Sequence, residues 1–553
     1  MQQRIVTAGQ TLTYDVVVIG AGVAGLVAAL DLLELAPALS VAIIDKGAPG
    51  SSGSTPLAQG GMAAAVGADD SPALHAADTI RAGDGLCDRY AVRTLTVEGP
   101  ARVADLVRRG AVFDRRPDGS LDLAREGGQT VSRSVRTADA TGAEIFRALR
   151  AQAVGRLTRL QGIVCDLART STGVVGAWAL LDATQASPVG PAQEASMVLV
   201  RGRRVLLATG GCGGLYGSTT NRDGATADGV ALAAAAGAEL ADLEFVQFHP
   251  TGLRPAGDVD DAEHAPRPDG SVDGCWRLLL TEALRGAGAV LLDADGRRFM
   301  IERHPDAELA PRHVVAKGIL DQPGGAWLDA TSIPPAALAR EFPTVSRGVR
   351  RYGFDLSREP VPVEPVEHYM IGGVATDLHG RTSVPGLSAA GEVACTGVHG
   401  ANRMAGNSLL QSCVFGHRAA VEIAATLAGE PDAASTRGPE VPALLPAADA
   451  PSGLADARRR LRAAMSAGAG AIRSAKSLES ASAALEEAAE AAGPRPAANR
   501  ESIELHHLIM VGRWITRSAV LRTESRGVHW REDHHAHDPA WEGVRIRVQG
   551  HPA

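Results

Sequence analysis

Four basic side chains stand at turns in this 553-residue chain. His249 lies in Phe248-His249-Pro250-Thr251-Gly252, and His368 in Glu367-His368-Tyr369-Met370-Ile371-Gly372-Gly373. Arg312 lies in Leu309-Ala310-Pro311-Arg312-His313, and Arg403 in His399-Gly400-Ala401-Asn402-Arg403-Met404. An arginine carries a permanent charge and a planar fork that grips a carboxylate through two parallel hydrogen bonds, while a histidine adds a directional donor. Such residues beside glycine-rich turns suit the clamping of a small dicarboxylate. Taken singly, each has a plainer reading, as a surface arginine or a core histidine bonded to backbone.

A second group suits an anionic cofactor. Gly20-Ala21-Gly22-Val23-Ala24-Gly25 follows the β-branched run Val16-Val17-Val18-Ile19 and opens a helical pattern. The glycine match alone is weak; a strand before it and a helix after it make it specific. Gly20 permits the tight turn, Gly22 lets backbone approach a pyrophosphate, and Gly25 lets helix and strand pack closely. The helix N-terminus offers free N–H groups and a favourable dipole to the anion. Asp45 ends the next strand, about 25 residues on, where a carboxylate takes ribose hydroxyls. These features admit NAD or FAD. Further loops bear on the choice: Ser54-Thr55-Pro56-Leu57-Ala58-Gln59-Gly60-Gly61 is small, polar and shaped to hug a flat ring. Ala208-Thr209-Gly210-Gly211, the Asn221 to Gly229 loop with Asp228, Ala390-Gly391-Glu392 and Asn407-Ser408-Leu409-Leu410 are of the same kind.

The elements that must hold these residues alternate strand and helix. Strand-like runs at Tyr14–Gly20, Val41–Lys46, Arg203–Gly210 and Leu387–Glu392 predict an α/β domain with a parallel sheet. It is expected over 1–242 and 370–428, with an inserted α+β capping domain over 243–369 that includes a polar loop from Arg254 to Gly274. A Pro/Ala/Glu-rich linker over 429–451 leads to a C-terminal helical bundle over 452–553. There, Arg500–Val520 places Leu505, Leu508, Ile509, Gly512, Ile515 and Ala519 on one face.

Composition removes several function classes. The net charge is −8 and no long Lys/Arg run occurs, so neither nucleic acid nor a membrane surface is an expected partner. The apolar stretch Val16 to Leu33 breaks at glycines and contains Asp31, which suits strand, turn and buried helix better than a membrane span. The six scattered cysteines form no Cys-x-x-Cys pair, so no metal is expected and reduced thiols in a cytoplasmic enzyme are. His534, His535 and His537 read as a solvated surface tract.

From Tyr14 to about Gly527 the sequence resembles the succinate dehydrogenase/fumarate reductase flavoprotein family. The resemblance implies a Rossmann-type FAD-binding domain in which Gly20, Gly22, Ala24, Gly25, Asp45 and Lys46 meet the nucleotide half. It assigns Ser54, Thr55, Gln59, Gly60 and Gly61 to the isoalloxazine, and Asp228, Glu392, Ser408 and Leu409 to the rest of the site. Respiratory members carry a flavin-linking histidine where this chain has Ser54, so FAD is expected to be non-covalent. By the same resemblance His249, Thr281, Glu282, His368 and Arg403 bind the dicarboxylate and Arg312 gives or takes the proton. As a matching set, the four basic residues then favour the clamp. Arg298, in Gly296-Arg297-Arg298-Phe299-Met300, has two readings, a place near this site or a structural ion pair.

Members of the family that oxidise an amino acid carry a distinguishing glutamate where Glu126 stands in Arg125-Glu126-Gly127-Gly128. A carboxylate buried in a cationic pocket is costly unless an ammonium meets it, so Glu126 points to an amine substrate. Gln129-Thr130 replaces the usual His-Ser, and Ala227 a common glycine. The implied reaction is oxidation of L-aspartate to iminoaspartate by hydride transfer from Cα to flavin N5. Reduced flavin would return its electrons to O2, giving H2O2, or to fumarate. Iminoaspartate would feed quinolinate and NAD synthesis, with quinolinate synthase as a partner. The rivals are a soluble fumarate reductase, a respiratory flavoprotein subunit and a flavin-binding protein without catalysis.

Overall fold

The computed structural model describes residues 10–47, 53–182, 196–255, 275–429 and 439–550. Most of the Arg254–Gly274 stretch and the first part of the 429–451 linker lie outside the described residues.

The first strand, β1 (Thr11–Ile19), ends in the fully buried Val16, Val17 and Val18, as befits a strand covered on both faces. The chain then turns at Gly20, with φ +109, into helix α1 (Val23–Leu35). Only glycines fit this corner: a Cβ on Gly20 would lie 2.3 Å from the Ala208 carbonyl oxygen, and one on Gly25 2.0 Å from that of Gly20. Strand β2 (Val41–Asp45) pairs parallel with β1, and β3 (Thr158–Thr170) continues outward. An antiparallel strand, β4 (Gly173–Leu181), leads into β5 (Ser196–Leu207), which returns parallel to the other side of β1. Helix α2 (Asp228–Ala235) follows, started by Ala227 in the left-handed region at φ 57. The parallel core, completed by β6 (Leu387–Ala389), therefore runs β3–β2–β1–β5–β6. Its order reverses between β1 and β5, so a crevice opens at their carboxyl ends beside the Gly20 corner.

Between α2 and β6 the chain builds a second, antiparallel sheet. Val246–Leu253 pairs with Val361–Met370, followed by Ala326–Asp329 and Val290–Leu292. It has its own apolar core, including Leu280, Leu291, Met300, Val315 and Leu328. Helix α3 (Arg312–Leu320) packs on it. After β6, α4 (Asn407–Gly429) packs against α1.

Three helices close the molecule: α5 (Leu454–Gly468), α6 (Ala475–Ala492) and α7 (Arg500–Leu521). Ser474 and Ser477 form a capping box on α6, and the Asn499 side chain accepts from Ser502 N at the start of α7. The six apolar-face residues expected in α7 are all buried, and Leu461, Leu485 and Leu508 share one core with Ile19, Ile44 and Leu207 of the parallel sheet. The last segment is not helical. Arg547–Gln549 pairs antiparallel with Glu239–Ala241, a short strand whose signal is too brief to emerge from sequence.

All six cysteines are free thiols. Among the described residues no helix is long and apolar enough to cross a membrane, and no His/Cys/Asp/Glu group is placed to hold a metal.

Candidate active site

The crevice beside Gly20 is a groove of about 510 Å³, and a smaller cavity of about 140 Å³ adjoins it through Ser54, Thr55, Glu392 and Ser412. Gly20, Gly22, Ala24, Asp45, Lys46, Ser54, Thr55, Asp228 and Glu392 line the groove. Gln59, Gly60, Gly61, Ser408 and Leu409 line the cavity, while Gly25 lines neither and serves helix packing instead. The groove fits the elongated FAD: it runs from a helix N-terminus free of side chains at Gly20 and Gly22 to the carboxylate of Asp45. Two expected cofactor groups are less free than the sequence suggested. Lys46 Nζ lies 2.6 Å from Asp228 Oδ2 and 3.0 Å from Glu504 Oε1, so the lysine and Asp228 neutralise one another in the groove wall. Asp45 Oδ2 also receives Arg159 at 3.0 Å.

The smaller cavity collects every expected substrate residue: Glu126, His249, Thr281, Glu282, Arg312, His368 and Arg403. Each arrives from a different element. His249 sits on Val246–Leu253 between two irregularities in its pairing with Val361–Met370, which carries His368; such bulges re-aim side chains. Arg312 opens α3, and Thr281 caps the short helix Glu282–Gly286. Arg403 precedes α4, with its guanidinium 4.7 Å from the centre of the Tyr369 ring. Glu126 is delivered by a small sheet of Met62–Ala63, Ser134–Val135 and Leu123–Ala124. This sheet joins the Ser54–Gly61 loop to the Glu126 loop, and Glu126 Oε1 accepts the Gly61 N–H at 2.7 Å.

Charge in the cavity is arranged in layers. Arg312 Nε donates to Glu282 Oε2 at 2.7 Å, and its Nη1 donates to Gln247 Oε1 at 3.1 Å. Burial opposes ionisation of Glu282, but Arg312 and Arg285 outweigh it and hold that carboxyl below the usual range. Glu126, 4% exposed, behaves differently. Burial and then the Glu282 carboxylate push it up to about 7, against the pull of the Gly61 N–H, Arg312 and Arg403. Burial and then Arg312 hold both His249 and His368 well below 6.5, so both rings are neutral. His249 Nδ1 accepts the Thr251 N–H at 3.2 Å, which leaves the ring proton on Nε2. That Nε2 and Arg403 Nε are buried without a partner in the protein. Buried donors without acceptors are expensive, and here they stand in a cavity lined with cations, where a carboxylate would satisfy them.

Several residues at the site escaped the sequence reading. Gln247 bridges Arg312 and the Arg403 segment, donating to Asn402 Oδ1 and Arg403 O, both at 2.9 Å. It stands two residues before His249 on one strand, and that spacing is the signal that would have found it. Thr220 Oγ1 lies 2.8 Å from His368 Nδ1, and Ser54 Oγ donates to Asn221 Oδ1 at 2.5 Å. Of the two readings of Arg298, the structural ion pair is the one the fold shows. Arg298 pairs with both oxygens of Glu308, at 2.9 and 2.6 Å, and does not line the cavity, because its neighbour in space is a carboxylate ten residues on. His537 pairs with Asp84 at 3.2 Å.

Gln129 explains how the Glu126 turn holds its shape. Its side-chain oxygen accepts the Glu126 N–H at 3.1 Å, and its amide donates to Ser134 Oγ at 2.8 Å and to Ala405 O at 3.4 Å. Gly127 lets the turn lie on the acid beneath it, since a Cβ there would fall 1.7 Å from Glu282 Oε1.

Comparison with known proteins places the chain in a family. Residues 15–409 match a family described as FAD binding domain, and 458–544 one described as fumarate reductase flavoprotein C-term. An L-aspartate oxidase of Streptomyces coelicolor is 44% identical over 547 residues, spanning 95% of this chain and 90% of the relative. One of Caulobacter vibrioides is 43% identical, spanning 96% and 95%. Among solved structures, a mutant of E. coli quinol fumarate reductase FrdA superposes with a TM-score of 0.81 at 28% identity, covering 98% of this chain and 97% of its own. Mycobacterium smegmatis Sdh1 gives 0.79 at 30% identity, covering 98% and 92%.

Proposed function

Because this chain belongs to the succinate dehydrogenase/fumarate reductase flavoprotein family, and within it to the L-aspartate oxidases, we propose that it oxidises L-aspartate to iminoaspartate. The observation that carries this reading is a buried carboxylate, Glu126, lining the same cavity as Arg312, Arg403 and two neutral histidines. Succinate offers that carboxylate nothing to pair with. Aspartate offers an ammonium, and the pair offsets the cost of burial.

FAD, when bound, supplies the two-electron acceptor. Arg403 and His249 take one carboxylate through the donors that lack protein partners, while Arg312 and His368 take the other, which fixes Cα. Glu126 accepts from the ammonium and is placed to receive its proton as the amine becomes an imine. Arg312, held at two nitrogens by Glu282 and Gln247, acts from a fixed position as proton donor or acceptor at the substrate. Electrons then pass to O2 or fumarate, and iminoaspartate enters quinolinate and NAD synthesis in the cytoplasm, with quinolinate synthase as the consuming enzyme.

The test is anaerobic titration of the flavin-loaded protein with L-aspartate and then with succinate, followed by flavin absorbance. Aspartate is expected to bleach the flavin and succinate to leave it oxidised. Glu126→Gln is expected to lose bleaching by aspartate while reduced flavin remains oxidisable by fumarate. Bleaching by succinate as readily as by aspartate would overturn the amino-acid reading in favour of a fumarate reductase.

A further inference from the structure

Helix α7 begins at Arg500, in a region whose sequence reads as a helical bundle packed onto the rest of the chain. Ala498, Asn499 and Arg500 line the 510 Å³ groove with Asp45 and Lys46, and Arg500 lies against Lys46. That is the end of the groove where β2 stops, the place at which a dinucleotide's adenosine half meets the sheet.

The contact is built from charges. Lys46 Nζ lies 3.0 Å from Glu504 Oε1, one turn into α7, besides its 2.6 Å contact with Asp228. Arg500 Nε reaches the same Glu504 oxygen at 2.9 Å, and Arg500 Nη1 donates to the Lys46 carbonyl at 3.1 Å. Arg458 of α5 binds the other Glu504 oxygen at 3.0 Å, and His507 Nδ1 lies 3.0 Å from Asp228 Oδ1. The Glu504 and Lys46 side chains are 5% and 14% exposed, whereas Arg500 keeps 48% of its side-chain surface open. An arginine anchored on one edge and open on the other, at the rim of a groove for a diphosphate, is a ready anion contact.

We propose that α7 forms the outer wall of the FAD groove, with Arg500 contacting the adenosine half of FAD and Glu504 positioning both Arg500 and Lys46 for it. FAD binding and docking of the C-terminal helices onto the flavin domain are then one linked equilibrium: each favours the other. The glutamate is the positioning residue, because it touches both cations and does not itself line the groove.

The experiment measures the FAD dissociation constant by flavin fluorescence for the full-length protein and for Arg500→Ala and Glu504→Gln, together with amide hydrogen exchange across α7 with and without FAD. Each variant is expected to bind FAD at least tenfold more weakly, with the substrate KM unchanged once FAD saturates. FAD is expected to slow exchange in the first turns of α7 in the parent protein. A dissociation constant unchanged in Arg500→Ala, or exchange in α7 indifferent to FAD, overturns the proposal. Should Glu504→Gln not fold, Arg500→Ala decides alone, since its half-exposed side chain is removable without opening the core. Flavin binding is read directly, so the result is independent of which dicarboxylate the enzyme oxidises.

Discussion

Two of the clusters of buried opposite charges in this molecule differ in whether space is left between the charges. One is the small cavity, where Arg312, Arg403, Glu126 and Glu282 surround about 140 Å³. The other joins the end of α7 to the capping strand region. Arg522 Nε meets Glu244 Oε1 at 2.7 Å and its Nη1 meets Glu524 Oε1 at 2.9 Å, while Arg526 Nε meets Glu524 at 2.8 Å. There the guanidinium of Arg522 is also packed between the Phe245 and Trp541 rings, at 5.0 and 4.8 Å. Arg522, Glu244 and Glu524 are all fully buried. The second cluster directs its ions at each other and so ties segments together. The first pairs Arg312 with Glu282 but leaves Arg403 Nε and His249 Nε2 without a protein partner, and so keeps donors for something that is not protein. Buried charge thus serves cohesion in one place and recognition in the other, and the distinction rests on free volume rather than on residue type.

Removing one cation from each cluster separates the roles. Arg403→Leu is expected to lower kcat/KM for the substrate by a factor on the order of 10³ or more, since a charge-assisted clamp acts in a water-poor site. Its thermal midpoint should stay near that of the parent. Steady-state kinetics alongside calorimetry check both; a large fall in midpoint with modest kinetic loss would show Arg403 to be cohesive after all. Arg522→Leu is the mirror case. It strands Glu244 in the interior, while Glu524 keeps Arg526, at a cost of about 3–5 kcal/mol. Denaturant titration should register that loss, while KM of the protein that remains folded stays at the parent value.

How far the sequence reaches differs between the same two regions. The glycine corner, the parallel strands and the apolar face of α7 were legible because each rests on local periodicity or on a turn that only glycine can make. The cavity residues were legible only as a set and through the family resemblance, since His249, His368, Arg312 and Arg403 each have a plainer reading when taken singly. What sequence does not carry is which ions face each other. Arg298 and Arg312 sit fourteen residues apart, yet one pairs with Glu308 and the other enters the cavity. The Lys46–Glu504 contact spans 458 positions, and no local signal announces it. Gln129 is intermediate: the sequence flags it as a departure, and only the fold shows that its amide spans Glu126, Ser134 and Ala405.

The smallest expected effect is also the sharpest division between the two clusters, and it comes from pH. Burial and the neighbouring Glu282 raise Glu126 to about 7, above the ordinary carboxyl value of 4.5. Between those values the folded chain holds a proton that the unfolded chain has released. The stability this group contributes is therefore complete below the unfolded value and is lost as pH rises through about 7, a term of about 3 kcal/mol at most. Substrate binding runs the other way, because the ammonium of aspartate pairs with the ionised form: KM should fall as pH rises toward 7, by roughly tenfold per unit below it. Burial likewise raises Glu367 to about 7 and Glu392 to about 8, so both add to the stability slope. The decisive measurement is therefore the difference between the parent and Glu126→Gln, in thermal midpoint without substrate and in binding affinity for L-aspartate, from pH 5 to 8. Opposite slopes that both flatten in the variant place the titration on Glu126. Parallel slopes, or slopes the variant leaves intact, would move the pH response to another buried acid and take from Glu126 its part in receiving the amine.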